Sequence, residues 1–189
     1  MDSADLKKYL AFIEKAENLK NTIRLSRTSK ARPESAAEHS WRLALMALVF
    51  EDEFAGLDSH KILKLCILHD LGEAIGGDIP APLQKNGGDK SAGERRDFLE
   101  LAGDLDEAAR GRLAALWDEY ENVGSPEAVV VKGLDKLETL IQHNQGDKSE
   151  KIIDYEFNLD YGRRYTDAHP LLKELRRLID PVTAKNAGR

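Results

Sequence analysis

The chain has 189 residues, of which 34 are acidic and 28 basic, and its net charge at neutral pH is −6. This balance leaves no broad basic surface, so the composition argues against binding of a long nucleic acid but allows a small phosphorylated ligand. The lone Cys66 cannot form an internal disulfide, and no apolar run has the length that spans a membrane. The charged N-terminal segment lacks the apolar centre of a signal peptide, so we expect a cytoplasmic protein with no membrane partner.

Apolar residues recur at helical spacing along most of the chain, and no segment shows convincing strand alternation. The pattern predicts an all-α fold of roughly seven to nine helices in a single domain, residues 1–189. The predicted helices span residues 4–17, 36–54, 60–75, 91–102, 105–121, 126–144, part of 147–162, and 169–179.

Several of these helices begin at recognisable caps. Ser35 and Glu38 form the capping box SAAE, Asp58 or Ser59 opens the next helix, and Ser125 precedes Pro126. Two segments are rich in glycine and polar residues, and this composition predicts a flexible loop and a frayed terminus. These segments are QKNGGDKSAGE, residues 84–94, and the tail, residues 183–189. In the first segment, Lys85 and Lys90 either cover a bound ligand or are simply solvated.

Polar residues occur where two of the predicted helices should be buried. His69 and Asp70 directly follow the apolar run LKLCIL, and Asp135 lies beside the apolar stripe of a later helix. A buried imidazole or carboxylate is costly unless it is paired or ligated. A metal ion shared with His39 would satisfy all of them, but the spacing alone favours a hydrogen-bonded polar core over a metal site.

Three motifs in order resemble the HD-domain metal phosphohydrolases: RPESAAEHSWRLALMA, HDLGEAIGGDIP and DKLETLIQ. The likeness is to the 5′-nucleotidase branch, the YfbR-like and HD-domain-containing-protein-2-like enzymes, over residues 24–142. It implies an HD-domain helical bundle in which residues 24–142 form the metal-site core and the helices of 148–180 pack on it. It also implies a homodimer and the metal ligands His39, His69, Asp70 and Asp135.

The same resemblance assigns further site residues. Glu73 and Asp78 match the acidic pair in HD-x-x-E-x-x-x-x-D. Arg24 occupies a position where related enzymes carry a positively charged residue at the active site. Bacterial relatives often follow that arginine with tryptophan, whereas this chain has Leu25, which removes one possible aromatic wall.

The acidic pair has two possible uses. Glu73 is positioned either to activate a metal-bound water or to hydrogen-bond a ligand histidine. Asp78, which follows two glycines, is either a general acid or base or a turn residue. Arg24 and Lys136 are the candidate phosphate-binding cations, although Lys136 could instead face solvent.

Two imidazoles and two carboxylates suit one divalent ion, which could be Mn, Co, Fe, Ni, Zn or Mg. We therefore expect a metal-dependent 5′-nucleotidase that removes phosphate from a small-molecule substrate, a (deoxy)ribonucleoside 5′-monophosphate. The alternatives are hydrolysis of a nucleoside triphosphate, a cyclic nucleotide or a non-nucleotide ester, and a non-catalytic metal- or nucleotide-binding module. Trp41 could stack on a base, but its predicted role is core packing.

Overall fold

The computed structural model describes residues 2–83, 87–148 and 152–189, and most of them are helical. The all-α prediction is therefore confirmed. The helices are α1 (Ser3–Ala16), α2 (Asn18–Asn21), α3 (Ala36–Val49), α4 (Ser59–Leu68), α5 (Glu73–Gly76), α6 (Gly87–Leu101), α7 (Glu107–Glu121), α8 (Pro126–Gln145), α9 (Tyr155–Asp160), α10 (Arg163–Thr166) and α11 (Pro170–Asn186). Short 3₁₀ turns cover Glu51–Phe54, Ala81–Leu83 and Ala102–Asp104. No helix in the described part of the chain has the length and apolar character needed to cross a membrane.

The predicted caps are confirmed at three helices. Ser35 and Glu38 form the reciprocal capping box of α3, and Asp58 accepts a hydrogen bond from the backbone of Lys61 at the start of α4. Ser125 caps α8 in the same way. These local side-chain bonds satisfy N–H groups that the first helical turn leaves unpaired, which is why they can be predicted from short motifs.

The predicted loop and the predicted frayed tail were wrong. Helix α6 already begins at Gly87, because its later residues Phe98 and Leu101 are buried and anchor it; Lys85 lies outside the described residues. Helix α11 continues past Pro181 to Asn186, since Thr183 is fully buried there. In both segments tertiary packing outweighs weak helix propensity.

The prediction of no strand was also wrong. Strand β1 (Ile23–Arg27) pairs antiparallel with β2 (Pro33–Ser35), with Ile23 opposite Ser35. The ribbon lies against the C-terminal end of α8, where Gln142 Nε2 donates to the carbonyl of Arg27 at 2.6 Å. The same packing brings Arg24, the second residue of β1, to Thr139 in the C-terminal half of α8.

Helix α8 is the central element of the fold, and it packs against α3, α4, α7, α10 and α11. Its buried apolar face includes Val131, Leu134 and Leu137, which join residues of α3 and α4 in one core cluster. A second cluster surrounds Trp117 of α7. Because α8 is enclosed, the polar residues that it carries at Asp135 and Glu138 lie inside the protein.

The prediction that Trp41 packs in the core was wrong, because 65% of its surface is exposed. Leu45, Leu48 and Val49 lie on the same side of α3 and are also exposed. The apolar excess of this helix therefore forms an outer face as well as an inner one.

Two glycines in the middle of helices should respond oppositely to replacement by alanine. A methyl group at Gly133 of α8 would lie 2.5 Å from the buried Leu172 and 3.2 Å from the carbonyl oxygen of Tyr165, whereas the space around Gly111 of α7 is open. We expect Gly133→Ala to lower the free energy of unfolding by about 1–3 kcal/mol. Gly111→Ala should raise it by about 0.5–1 kcal/mol, because alanine favours helix. Urea denaturation measures both, and equal changes would contradict the packing described here.

Candidate active site

Four residues that the sequence singled out meet at the centre of the molecule. His39 lies in the first turns of α3, His69 and Asp70 follow α4 directly, and Asp135 projects from the middle of α8. One potential ligand atom from each of His39, His69 and Asp70 falls within 4.8 Å of the others. Asp135 adjoins this group, since its Oδ1 lies 3.3 Å from Nε2 of His39. Both histidines and Asp135 are buried.

The outer nitrogen of each imidazole is already engaged. Nδ1 of His39 contacts the carboxylate of Glu138, and Nδ1 of His69 lies 2.9 Å from the carbonyl oxygen of Cys66. Both partners accept hydrogen bonds, so each Nδ1 carries the proton and each Nε2 of a neutral ring presents a lone pair.

The two Nε2 atoms therefore point at each other and at carboxylate oxygens. They lie 3.3 Å apart, and Nε2 of His69 is 3.1 Å from Oδ1 of Asp70. Lone pairs so close repel one another unless a cation or a proton lies between them. The chemistry of this donor set, two imidazole nitrogens with two carboxylates, fits a divalent metal ion.

The pKa values of the cluster residues also show that positive charge is favoured at this place. Burial and the Arg24 charge act against a charged imidazole, yet the carboxylates of Glu138 and Asp135 raise the pKa of His39 to about 10. Burial also opposes the charged form of Asp70, but neighbouring His69 keeps the pKa of that carboxyl below its usual range. The cluster thus retains its carboxylate charge and attracts a cation.

Asp135 is held on its other side by two donors. The hydroxyl of Tyr120 and the ammonium of Lys136 each donate to Oδ2 at 2.8 Å. Lys136 is mostly enclosed, so it does not face solvent, the alternative that the sequence left open. Oδ1 stays directed at the cluster, which is the orientation that a metal ligand requires.

A cavity of about 520 Å³ opens onto this cluster. His69, Asp70 and Asp135 belong to its lining, as do both predicted phosphate-binding cations, Arg24 and Lys136. The other walls come from the segment after α5, from α6 and from residues 154–165. The volume lies within the range of small-molecule sites, about 300–1,000 Å³.

Arg24 reaches the cluster from strand β1. One of its terminal nitrogens lies 3.4 Å from Oδ2 of Asp70, and the other donates to Thr139 at 3.3 Å. Its side chain is mostly buried between the carboxylates of Asp70 and Glu34. A guanidinium held in this position can bind two oxygens of an anion at the cluster.

Glu73 also lines the cavity, but it does not hydrogen-bond either histidine of the cluster, which was one of the two roles predicted for it. Its Oε1 accepts from Lys90 at 3.2 Å, while its buried Oε2 has no hydrogen-bond partner among the described residues. Burial, together with the charges of Asp70 and Asp78, raises the pKa of Glu73 to about 9. Asp78 lies nearby in the cavity lining, after the left-handed Gly77.

Two residues that sequence reasoning missed, Glu138 and Tyr120, complete the site, together with Lys90, which the sequence offered only as a possible cover for a ligand and which lines the cavity. Glu138 lies three residues after Asp135 on the same face of α8, so helical spacing alone could have suggested it. Tyr120 and Lys90 lie on α7 and α6, and no local pattern links them to the cluster. Their roles depend on tertiary packing.

Comparisons with known proteins agree with this geometry. A sequence profile described as "HD domain" matches residues 16–176. A protein from Danio rerio named 5′-deoxynucleotidase HDDC2 is 36% identical over 119 residues, which make up 63% of this chain and 58% of that protein. The chain thus spans less than two thirds of that relative. Its namesake from Dictyostelium discoideum is 30% identical over 152 residues, 76% of this chain and 80% of that protein.

Among solved structures, a predicted metal-dependent phosphohydrolase from Magnetospirillum magnetotacticum has the same fold. It aligns with a TM-score of 0.83 at 24% identity, covering 97% of this chain and 95% of its own.

The carboxylate of Glu138 should be essential for the stability of the cluster. It is fully buried, and it contacts both His39 and the guanidinium of Arg42. We expect Glu138→Ala to lower the free energy of unfolding by about 3 kcal/mol, because it leaves buried partners uncompensated. Gln145→Ala is the matched control, since it removes the exposed partner of the same arginine and should change stability by less than about 0.5 kcal/mol. Urea denaturation of both variants measures this, and similar values for the two would contradict it.

Proposed function

The chain belongs to the HD-domain family, and we propose that it is a metal-dependent 5′-nucleotidase acting on (deoxy)ribonucleoside 5′-monophosphates. The observation that carries this proposal is the buried imidazole–carboxylate cluster at one end of a cavity with room for a nucleotide. The relatives named 5′-deoxynucleotidase support the substrate class and favour deoxynucleotides.

We assign His39, His69, Asp70 and Asp135 as the ligands of one divalent ion. Support comes from the buried lone pairs that converge there and from the hydrogen bonds that fix each imidazole. When bound, such an ion neutralises phosphate charge and lowers the pKa of a coordinated water. The donor set accepts Mn, Co, Fe, Ni, Zn or Mg.

Arg24 and Lys136 are the proposed phosphate-binding residues. They approach the cluster from β1 and α8, and each already contacts one of its carboxylates. A phosphate that displaced these carboxylate contacts would gain charge-assisted hydrogen bonds from both sides. The two cations would also fix the orientation of the scissile bond.

Glu73 and Asp78 are the proposed acid–base residues. Hydrolysis of a phosphomonoester requires removal of a proton from the attacking water and delivery of a proton to the departing 5′-oxygen. The unpartnered oxygen of Glu73 suits it to orient that water, and its carboxylate could take the proton once a bound cation offsets the charge of Asp70 and lowers the raised pKa of Glu73. Asp78 lies in the cavity lining beside it and suits the second transfer.

The first test is phosphate release by metal-stripped protein. The substrates are 5′-deoxynucleotides, 5′-ribonucleotides, 3′-deoxynucleotides and p-nitrophenyl phosphate, with Mn, Co, Mg or Zn added back. We expect metal-dependent release from the 5′-monophosphates and a loss of about a thousandfold or more in Asp70→Ala. The exposed acid Asp52 gives the control, Asp52→Ala, which should retain full activity.

Metal binding is followed separately by the rise in melting temperature when the ion is added. If the ion binds but no monophosphate is hydrolysed, the nucleotidase proposal fails. A phosphodiesterase, a triphosphate hydrolase or a binding module would then be tested with the corresponding nucleotides.

We also infer a homodimer, as the resemblance to related enzymes implies. The exposed apolar residues Trp41, Leu45, Leu48 and Val49 on α3 offer a face that a second copy would cover. Sedimentation equilibrium should give twice the 21.1 kDa of the chain, and Trp41→Lys should shift the mass towards one copy. A monomeric mass for the unaltered protein would contradict this. The single domain over residues 1–189 and the cytoplasmic location also stay predictions.

A further inference from the structure

An aromatic pair, Phe157 of α9 and Tyr161 directly after that helix, forms part of the wall of the active-site cavity. Phe157 and Tyr161 lie one helical turn apart, with ring centroids separated by 5.3 Å and planes inclined at 33°. Both rings belong to the lining that also contains His69 and Asp70. Phe157 is 37% exposed, so part of its side chain is accessible to a ligand in the cavity.

This pair is close to the place where a phosphate would bind. The Tyr161 ring centroid lies 5.1 Å from Nζ of Lys136, and Lys136 contacts the cluster residue Asp135 at 2.8 Å. One lysine side chain therefore separates the cluster from the first ring, and Phe157 lies beyond it. An ester whose phosphate binds at the cluster therefore has these rings within the same cavity, one lysine side chain away.

The backbone at this wall is fixed against α8. Gly162 has a left-handed φ of 72°, and an added Cβ would lie 2.5 Å from Cγ of Lys136. Only glycine therefore permits this approach, which keeps Tyr161 beside the lysine.

The wall is also clamped from behind by Arg176 of α11, which is only 1% exposed. Its guanidinium donates to the carbonyl oxygens of Tyr161 at 2.6 Å, Asn158 at 2.7 Å and Leu159 at 2.8 Å. Three charge-assisted bonds to one short segment pre-organise it. A fixed surface loses little entropy when a ligand binds, which favours a recognition role.

The other tyrosine rings in the described lining are already committed. Tyr120 is buried and donates to Asp135, while the Tyr165 ring lies beneath the guanidinium of Arg164. Leu25 lines the cavity next to Arg24 and provides no ring. Tyr161 itself lies beside Lys136, so within the described lining the Phe157 ring, packed against Tyr161, is the aromatic surface left for a flat ligand group.

We propose that the Phe157–Tyr161 pair is the surface on which the base of the substrate stacks, and that it selects nucleotides over phosphate esters without a base. This inference rests on the proposed nucleotidase function and names the residues that determine its substrate class. Stacking tolerates any base because each has a π face, and a purine, with its larger ring system, should depend on the pair more than a pyrimidine.

The test compares substrates that differ only in the base. Phe157→Ala and Phe157→Tyr are assayed with dAMP, dCMP and 2-deoxyribose 5-phosphate at saturating metal. For Phe157→Ala we expect kcat/KM with dAMP to fall about tenfold, mainly through KM, with a smaller fall for dCMP. Activity on 2-deoxyribose 5-phosphate should stay unchanged, and Phe157→Tyr should keep wild-type values. Leu178→Ala, which truncates an exposed apolar side chain on α11 outside the cavity lining, is the control and should change none of them.

Equal losses for dAMP and 2-deoxyribose 5-phosphate would overturn the proposal, because they would show that α9 only maintains the fold. Unchanged kinetics in Phe157→Ala would overturn it as well.

Calorimetric titration with dAMP distinguishes failure of the stacking proposal from failure of the proposed nucleotidase function. If the wild type does not hydrolyse dAMP but binds it about tenfold more tightly than Phe157→Ala does, the stacking surface stands and the nucleotidase function fails. If the wild type does not bind dAMP, both are wrong.

Discussion

Two imidazole nitrogens face each other across 3.3 Å in the interior, with carboxylate oxygens beside them, and the surrounding structure is arranged to hold this concentration of lone pairs. Glu138 and the Cys66 carbonyl keep both rings turned inwards. A cation is the simplest partner for such a group. Burying this group of polar atoms is costly, and the central helix α8 and several hydrogen bonds hold it in place.

Around that centre, charges of opposite sign alternate. Arg24 and Lys136 contact its carboxylates, and Lys90 contacts Glu73 at the side of the cavity. Each of these cations lies in the lining of the cavity, where it can exchange a protein carboxylate for a phosphate oxygen. The cavity therefore combines a buried anionic centre with a cationic rim, the arrangement that binding of a metal ion and an anionic ester together requires.

The features that could be predicted from the sequence are those with a local cause. Apolar spacing indicated the helices, the Ser35–Glu38 box is closed within one turn, and Asp135 was conspicuous because a carboxylate interrupted a buried stripe. The motifs added His39 to the predicted site, because residue spacing alone could not show that it lies near His69. The grouping of these side chains in space is now described, while their roles as ligands stay proposals.

What could not be predicted depends on contacts between distant segments. The ribbon of β1 and β2 is short and lies against α8, so its residues showed no strand pattern. Helix α6 begins among glycines because residues further along are anchored in the core. Trp41 is exposed although its type suggested burial, since the outer face of α3 is apolar too.

The separation of the cluster residues along the chain has a consequence for folding. His39 contacts His69, 30 residues later, and Glu138, 99 residues later. Closing loops of this length is entropically unfavourable until the intervening helices have packed, so a fragment that lacks α3 or α8 cannot assemble the group. An ion that binds here is linked to the packing of α3, α4 and α8 and not to a local segment. Occupancy of the cluster would thus report that these three helices have come together.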